Sequence, residues 1–144
     1  MGSGKPKVLF LCTGNSCRSQ MAEGLLKHYG NSKFEVYSAG FIPSFVHPLA
    51  IKVMAELGID ITGQRSKSAN EYLDQEFSYI ITVCDNAKKL CPTFPGKHKY
   101  LHWSIEDPVS ATGSEEEMLK AFRKICHKIL KEINRFISTY ENSK

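Results

Sequence analysis

Apolar positions along this chain follow two rhythms. Lys7-Val8-Leu9-Phe10-Leu11-Cys12 and Tyr79-Ile80-Ile81-Thr82-Val83-Cys84 are short, nearly continuous apolar runs, each followed by polar residues and turn formers. Runs of this length without alternation predict strands buried on both faces, as in a parallel sheet. Between them the period changes: from Ser16 onward Met21, Leu25, Leu26 and Tyr29 share one helical face, and Gly30-Asn31 supplies a stop. The alternation repeats, with Phe34 to Ser38 strand-like and a break at Ala39-Gly40. A helical stripe through Val53, Met54 and Leu57 follows in the segment from Leu49 to Leu57, closed by Gly58. After the second apolar run, Asp85 to Leu90 is polar and weakly helical, and Lys99 to Trp103 fits a shorter strand. Ser114 to Tyr140 carries the clearest helical period, through Leu119, Phe122, Cys126, Ile129, Ile133, Phe136 and Ile137, and opens on a capping box of Ser114 and Glu117.

Strands that alternate with helices predict an α/β fold with a parallel sheet and right-handed crossovers. Four strands suit the doubly wound, flavodoxin-like arrangement with helices on both faces. At 144 residues the chain is long enough to bury one core, and one domain over residues 5–144 is expected. Residues 1–4 read as an initiator Met1 followed by a short cloning remnant. The longest apolar stretch near the start, Val8 to Cys12, is too short for a membrane span and lacks the layout of a secretory signal, so the expected location is the cytoplasm. The net charge of +4 favours anionic ligands, but the 19 basic residues are scattered, without an arginine-rich tract and interleaved aromatics, which argues against nucleic acid. Five cysteines, an odd number without paired spacing, argue against both a disulfide framework and a structural zinc site, and no metal is expected.

In doubly wound sheets ligands bind beyond the carboxyl ends of the strands, which is where Cys12-Thr13-Gly14-Asn15-Ser16-Cys17-Arg18-Ser19 falls. Successive amides of a short loop ahead of a helix N-terminus make a concave site for a tetrahedral oxyanion, so Thr13, Gly14, Asn15, Ser16, Cys17, Arg18 and Ser19 are the expected oxyanion-binding residues. Gly14 is expected to give the loop its backbone freedom. The guanidinium of Arg18 can clamp two equatorial oxygens bidentately, which a lysine does poorly. The same positive field favours the thiolate of Cys12 and makes it a nucleophile, with Ser19 placed to donate to its sulfur. Cys126 lies on the apolar stripe of the last helix and reads as core, and Cys17, at the start of the first helix, reads as structural support.

The run C-T-G-N-S-C-R-S-Q-M-A-E-G at Cys12 to Gly24 resembles the phosphate-binding loop of the low-molecular-weight tyrosine phosphatase superfamily, and most of all its thioredoxin-coupled arsenate reductases. The resemblance continues through Tyr37-Ser38-Ala39-Gly40, His47-Pro48, Gly58 to Ile61, Val83-Cys84, Cys91-Pro92, His102-Trp103 and Glu106-Asp107-Pro108, nearly the whole chain. It implies that Asp107 is the acid that protonates the leaving oxygen. The phosphatases usually carry aromatic residues just after that Asp-Pro to flank a phosphotyrosine ring, where this chain has Val109-Ser110-Ala111. The reductases instead carry two further cysteines after the third strand, matched by Cys84 and Cys91.

Reduction of arsenate needs two electrons, which a dithiol supplies by closing a disulfide. The resemblance accordingly implies attack of Cys12 on arsenate, of Cys84 on Cys12 with release of arsenite, and of Cys91 on Cys84. The Cys84-Cys91 disulfide would be recycled by thioredoxin, with no bound cofactor and with phosphate or sulfate as competing anions, in a monomer serving arsenic detoxification. The segment from Asp85 to Leu90 must then unwind or swing outward. The alternative on the same loop is a low-molecular-weight tyrosine phosphatase using Cys12, Arg18 and Asp107. Some of these reductases hold potassium beside the loop, and Asn15, Glu23 and Ser38 match such positions. Lys67, however, stands where an acid is usual, so no potassium dependence is expected. His47, His102 and Trp103 match family positions and are assigned no catalytic step.

Overall fold

A computed structural model describes residues 4–110 and 113–143. Gly2, Ser3 and Ala111 lie outside the described residues.

Four parallel strands, β1 (Lys7–Cys12), β2 (Glu35–Gly40), β3 (Tyr79–Thr82) and β4 (Lys99–His102), form one sheet in the order β2-β1-β3-β4. Four helices, α1 (Arg18–Tyr29), α2 (Pro48–Glu56), α3 (Asp85–Leu90) and α4 (Glu115–Asn142), connect or follow them. The central position of β1 follows from its composition: Val8, Leu9, Phe10 and Leu11 are all fully buried, as residues with sheet neighbours on both edges and side chains on both faces must be. The register sets the site, because Cys12 pairs with Gly40 at the end of the β1–β2 ladder and Leu11 pairs with Thr82 at the end of the β1–β3 ladder. The loops after β1, β2 and β3 therefore leave the sheet side by side at its carboxyl edge.

Helices α1 and α4 cover one face of the sheet, with α2 packed against both. Phe10 sits there with Trp103, 5.6 Å between ring centroids, and Phe136 of α4 stacks edge-on to Tyr79 at 4.9 Å. The opposite face is covered by the aromatic group Tyr37, Tyr72, Phe77 and Phe94, carried largely by a 3-10 turn (Ala69–Tyr72) and loops. The capping box of α4 is complete: the Ser114 hydroxyl accepts from the Glu117 amide, and the Glu117 carboxylate accepts from the Ser114 amide. No helix among the described residues is long and apolar enough to cross a membrane.

Element ends differ from the periodic reading by one or two residues, each for a local reason. Strand β2 runs on to Gly40 because that residue pairs with Cys12 and bridges to Ser68. Strand β3 stops at Thr82 because Cys84 serves as the N-cap of α3, its sulfur accepting from the Ala87 amide at 3.4 Å. Helix α1 begins at Arg18, which leaves Thr13 to Cys17 as a loop between strand and helix.

Candidate active site

The loop is held by its carbonyls. Thr13 O accepts from Ile42 N at 2.9 Å, Gly14 O from Ser44 N at 3.2 Å and the Ser66 hydroxyl at 3.0 Å, and Asn15 O from the Gln20 side-chain amide at 3.0 Å. Ser16 O accepts from His47 N at 3.1 Å and Cys17 O from Met21 N at 2.9 Å. Five consecutive carbonyls are thus drawn toward the surrounding protein. In a trans peptide the C=O and the next N–H point in opposite directions, so this arrangement turns the amides of residues 14–18 toward the loop interior. The result is a nest of N–H groups at the start of α1, shaped for a tetrahedral anion.

Glycine is demanded at a different place from the one the sequence suggests. Gly14 has no positive φ, and a Cβ added there would meet nothing nearer than 3.6 Å. Correcting the expectation, the loop's left-handed residue is Asn15 at φ 48°, a conformation asparagine tolerates. The tight approach is at Gly40, where a Cβ would stand 2.6 Å from Thr13 O and 2.7 Å from Asn15 N.

Cys12 Sγ accepts from Asn15 N at 3.2 Å and lies 2.8 Å from Ser19 Oγ. Ser19 Oγ already accepts from Asn15 Nδ2 at 2.8 Å, which leaves its hydrogen for the sulfur. The Asn15 amide also donates to Ser38 Oγ at 3.0 Å, and its Oδ1 accepts from Lys67 N at 2.8 Å. This asparagine, fully buried, therefore ties β1, β2 and the 66–68 segment to Cys12. Arg18 donates to Ile105 O at 3.0 Å and places Nη2 3.8 Å from Asp107 Oδ2, so cation and carboxylate face each other across the loop mouth. Asp107 Oδ1 accepts from Val109 N at 2.9 Å, an Asx turn that fixes its direction.

Cys84 adjoins this loop: its sulfur lies 3.4 Å from Thr13 Oγ1 and is buried. Two clefts meet here. One of about 370 Å³ opens over Cys12 between Ser16, Phe45, His47 and Val109, and one of about 530 Å³ runs past Cys84, Asp85 and Ser104. Thr13, Arg18 and Asp107 line both. Cys91 is not part of this assembly; it caps the far end of α3 with its thiol directed at Pro92 O, 3.6 Å away. All five cysteines are free thiols. Burial pushes the Cys17 thiol up to about 12 and that of Cys126 up to about 11, and also raises Cys91. The Cys17 and Cys126 thiols are both buried, Cys126 lying 3.8 Å from the Met54 sulfur.

Several contributors were invisible in the sequence. Ser44 and Ser66 hold the loop from segments with no motif of their own, and Phe45, 59% exposed, brings an aromatic ring to the mouth from the β2–α2 connection. His47 is structural: it caps α2 by accepting from Leu49 N at 3.1 Å and packs on Phe122 at 4.8 Å, and burial lowers its pKa.

The oxygens that would hold a potassium ion are otherwise engaged. Glu23 accepts from Ser38 and from Lys27, both at 2.5 Å, and the Lys67 ammonium lies 3.8 Å from the same carboxylate while donating to Arg65 O at 2.7 Å. With a cation already buried in the pocket, these residues do not fit a metal ion.

The chain matches the family model for low molecular weight phosphotyrosine protein phosphatase over residues 7–144. It is 43% identical over 135 residues to an arsenate reductase of Halalkalibacterium halodurans, spanning 94% of this chain and 97% of that one. A solved arsenate reductase in a phosphate-binding state superposes with a TM-score of 0.80 at 35% identity, over 93% of this chain and 98% of the other. A thioredoxin-dependent arsenate reductase from Corynebacterium glutamicum does so with a TM-score of 0.71 at 34% identity, covering 97% of this chain and 65% of that one. With the family model matched over nearly the whole chain, the chain belongs to the low molecular weight phosphotyrosine protein phosphatase family.

Proposed function

We propose that this protein is an arsenate reductase, a single domain over residues 5–144 that takes its electrons from thioredoxin in the cytoplasm as a monomer. The observation that carries the reading is the contact between Thr13 and Cys84, which sets a second thiol beside the anion cradle of Cys12. A phosphatase has no use for that thiol.

Arsenate binds in the nest of amides with Arg18 on its equatorial oxygens. The Cys12 thiolate attacks arsenic(V), and Asp107 gives its proton to the departing hydroxide, which leaves as water. Cys84 then attacks Cys12 Sγ. The sulfur–arsenic bond breaks with its electron pair on arsenic, so arsenic(III) leaves as arsenite and a Cys12-Cys84 disulfide remains. Cys91 attacks Cys84 and frees the Cys12 thiolate. Thioredoxin reduces the resulting Cys84-Cys91 disulfide and restores both thiols. The position of Cys91 beyond α3 supports a relay in which that helix opens between the second and third steps.

Arsenate-dependent NADPH oxidation in the presence of thioredoxin and thioredoxin reductase tests the reading, with separate serine replacements of Cys12, Cys84 and Cys91. All three replacements are expected to abolish turnover. The presence of Phe45 at the mouth favours one second activity, hydrolysis of aryl phosphates. Wild type that ignores arsenate but hydrolyses p-nitrophenyl phosphate with Cys12 alone would make hydrolysis the function.

A further inference from the structure

A chain of side-chain hydrogen bonds outside the anion cradle joins the first residue of α3 to the sheet. Asp85, the first residue of α3, accepts from His102 Nε2 at 3.0 Å and from the Ser104 hydroxyl at 3.2 Å. The other ring nitrogen, His102 Nδ1, lies 2.7 Å from Thr82 Oγ1, which in turn is 3.0 Å from the Tyr100 hydroxyl. The carboxylate fixes the direction of the bonds it receives. Asp85 can only accept, so Nε2 carries a proton; with the ring neutral, Nδ1 accepts from Thr82 and Thr82 accepts from Tyr100. Thr82 is fully buried and paired with His102 in the β3–β4 ladder, so the histidine is anchored to rigid sheet while its outer edge grips the helix. The Asp85 carboxyl is held below the usual carboxylate range, first by the His102 bond and then by Ser104, which keeps it ionised as the acceptor.

The geometry matters because α3 separates the two thiols that must join. Seven helical steps put the backbones of Cys84 and Cys91 about 10 Å apart along the axis, at 1.5 Å per residue. A disulfide tolerates Cα separations of only about 4.4–6.8 Å. The helix therefore has to lose its turns before Cys91 can attack, and its first residue is the one His102 holds.

We propose that His102 is a positioning residue whose bonds to Asp85 and Thr82 latch α3 closed, keeping Cys84 beside Thr13 until the first disulfide has formed. The inference rests on the relay reading given above for the meaning of the latch, but not for its existence. Breaking it accelerates opening of α3 and hence the exchange in which Cys91 forms a bond to Cys84 and Cys12 leaves as thiolate.

Hydrogen exchange of the amides of residues 87–90 in the reduced, anion-free protein provides the test, comparing wild type, His102→Gln, Asp85→Ala and the double replacement. Each single replacement is expected to speed α3 exchange about three- to tenfold, the range for a partly exposed hydrogen bond to a carboxylate. Asp85→Ala should have a smaller effect in the His102→Gln background than in wild type, as partners in one bond require. Exchange in β1 and α4 should stay unchanged, which separates the latch from loss of folding. In single-turnover reaction with arsenate, the Cys84-Cys91 disulfide should then form faster in His102→Gln. Wild-type exchange in either single replacement, or equal effects of Asp85→Ala in both backgrounds, overturns the latch. Faster exchange in a protein that never forms a Cys84-Cys91 disulfide with arsenate would leave the latch standing and remove the relay.

Discussion

The ammonium of Lys67 lies 3.8 Å from the Glu23 carboxylate, with both side chains buried beneath the anion loop. Burial lowers the Lys67 pKa, and Glu23 pulls it part of the way back, the balance expected of a cation that replaces solvent inside the fold. Potassium should accordingly leave the Michaelis constant for arsenate where sodium leaves it. A Lys67→Ala replacement vacates the pocket, and its melting temperature should then rise with potassium chloride more than with sodium chloride. A sharp potassium effect on the wild-type Michaelis constant would contradict the fit of these residues.

Ser19 is the donor closest to the Cys12 sulfur, and its own acceptor site is filled by Asn15. Ser19→Ala should slow both arsenate reduction and p-nitrophenyl phosphate hydrolysis about tenfold, the scale of one lost bond to a charged group, with little change in phosphate inhibition. Steady-state kinetics on the two substrates read this directly.

Gly40 makes way for the loop. Gly40→Ala sets a methyl group against Thr13 O and Asn15 N, both backbone atoms, so the loop itself must move. Overpacking of this kind costs about 1–3 kcal/mol. Inhibition by phosphate should weaken about tenfold at the same scale, while Gly14→Ala, which meets only ordinary contacts, should stay near wild type.

Phe45 should divide the two chemistries of the site. It lines the cleft over Cys12 with its ring largely exposed, where an aryl leaving group would pack and an inorganic anion would not reach. Phe45→Ala is therefore expected to reduce kcat/KM for p-nitrophenyl phosphate about fivefold, a loss of about 1 kcal/mol of ring contact, with arsenate turnover unchanged.

The raised thiols give a pH signature. Cys17 and Cys126 stay protonated until about pH 12 and 11, against an ordinary value of 9.0. Native-state alkylation at pH 8, mapped by mass spectrometry, should therefore miss both. Because their folded values are raised, the stabilisation they contribute is fully present below pH 9 and is lost as pH rises through the range up to 11 and 12, so thermal stability should fall across that window.

What the sequence revealed depended on how local the cause was. The buried runs Val8 to Leu11 and Tyr79 to Ile81 could be read as strands because nothing but burial on two faces explains them. The capping box of Ser114 and Glu117 was legible because its partners are three residues apart. The cradle was legible as a motif but not as a mechanism, since the groups that orient its carbonyls come from Ser44, Ser66 and His47, brought together only by the parallel register. Gly14 drew attention by type, whereas the steric need lies at Gly40, across the sheet from Cys12. The His102–Asp85 bond joins a strand edge to a helix start 17 positions apart in the chain and left no periodic trace.

The outward pull on the five loop carbonyls has a consequence for selectivity. A cradle of backbone amides closed by one guanidinium measures only the size, shape and charge of a tetrahedral dianion, and phosphate and arsenate are nearly identical in all three. Discrimination therefore has to come after capture, from the elements themselves: phosphorus(V) does not accept electrons from a thiol and is released, while arsenic(V) does. Such a site filters by reactivity, and the abundant wrong anion slows it by occupancy without ever being turned into product.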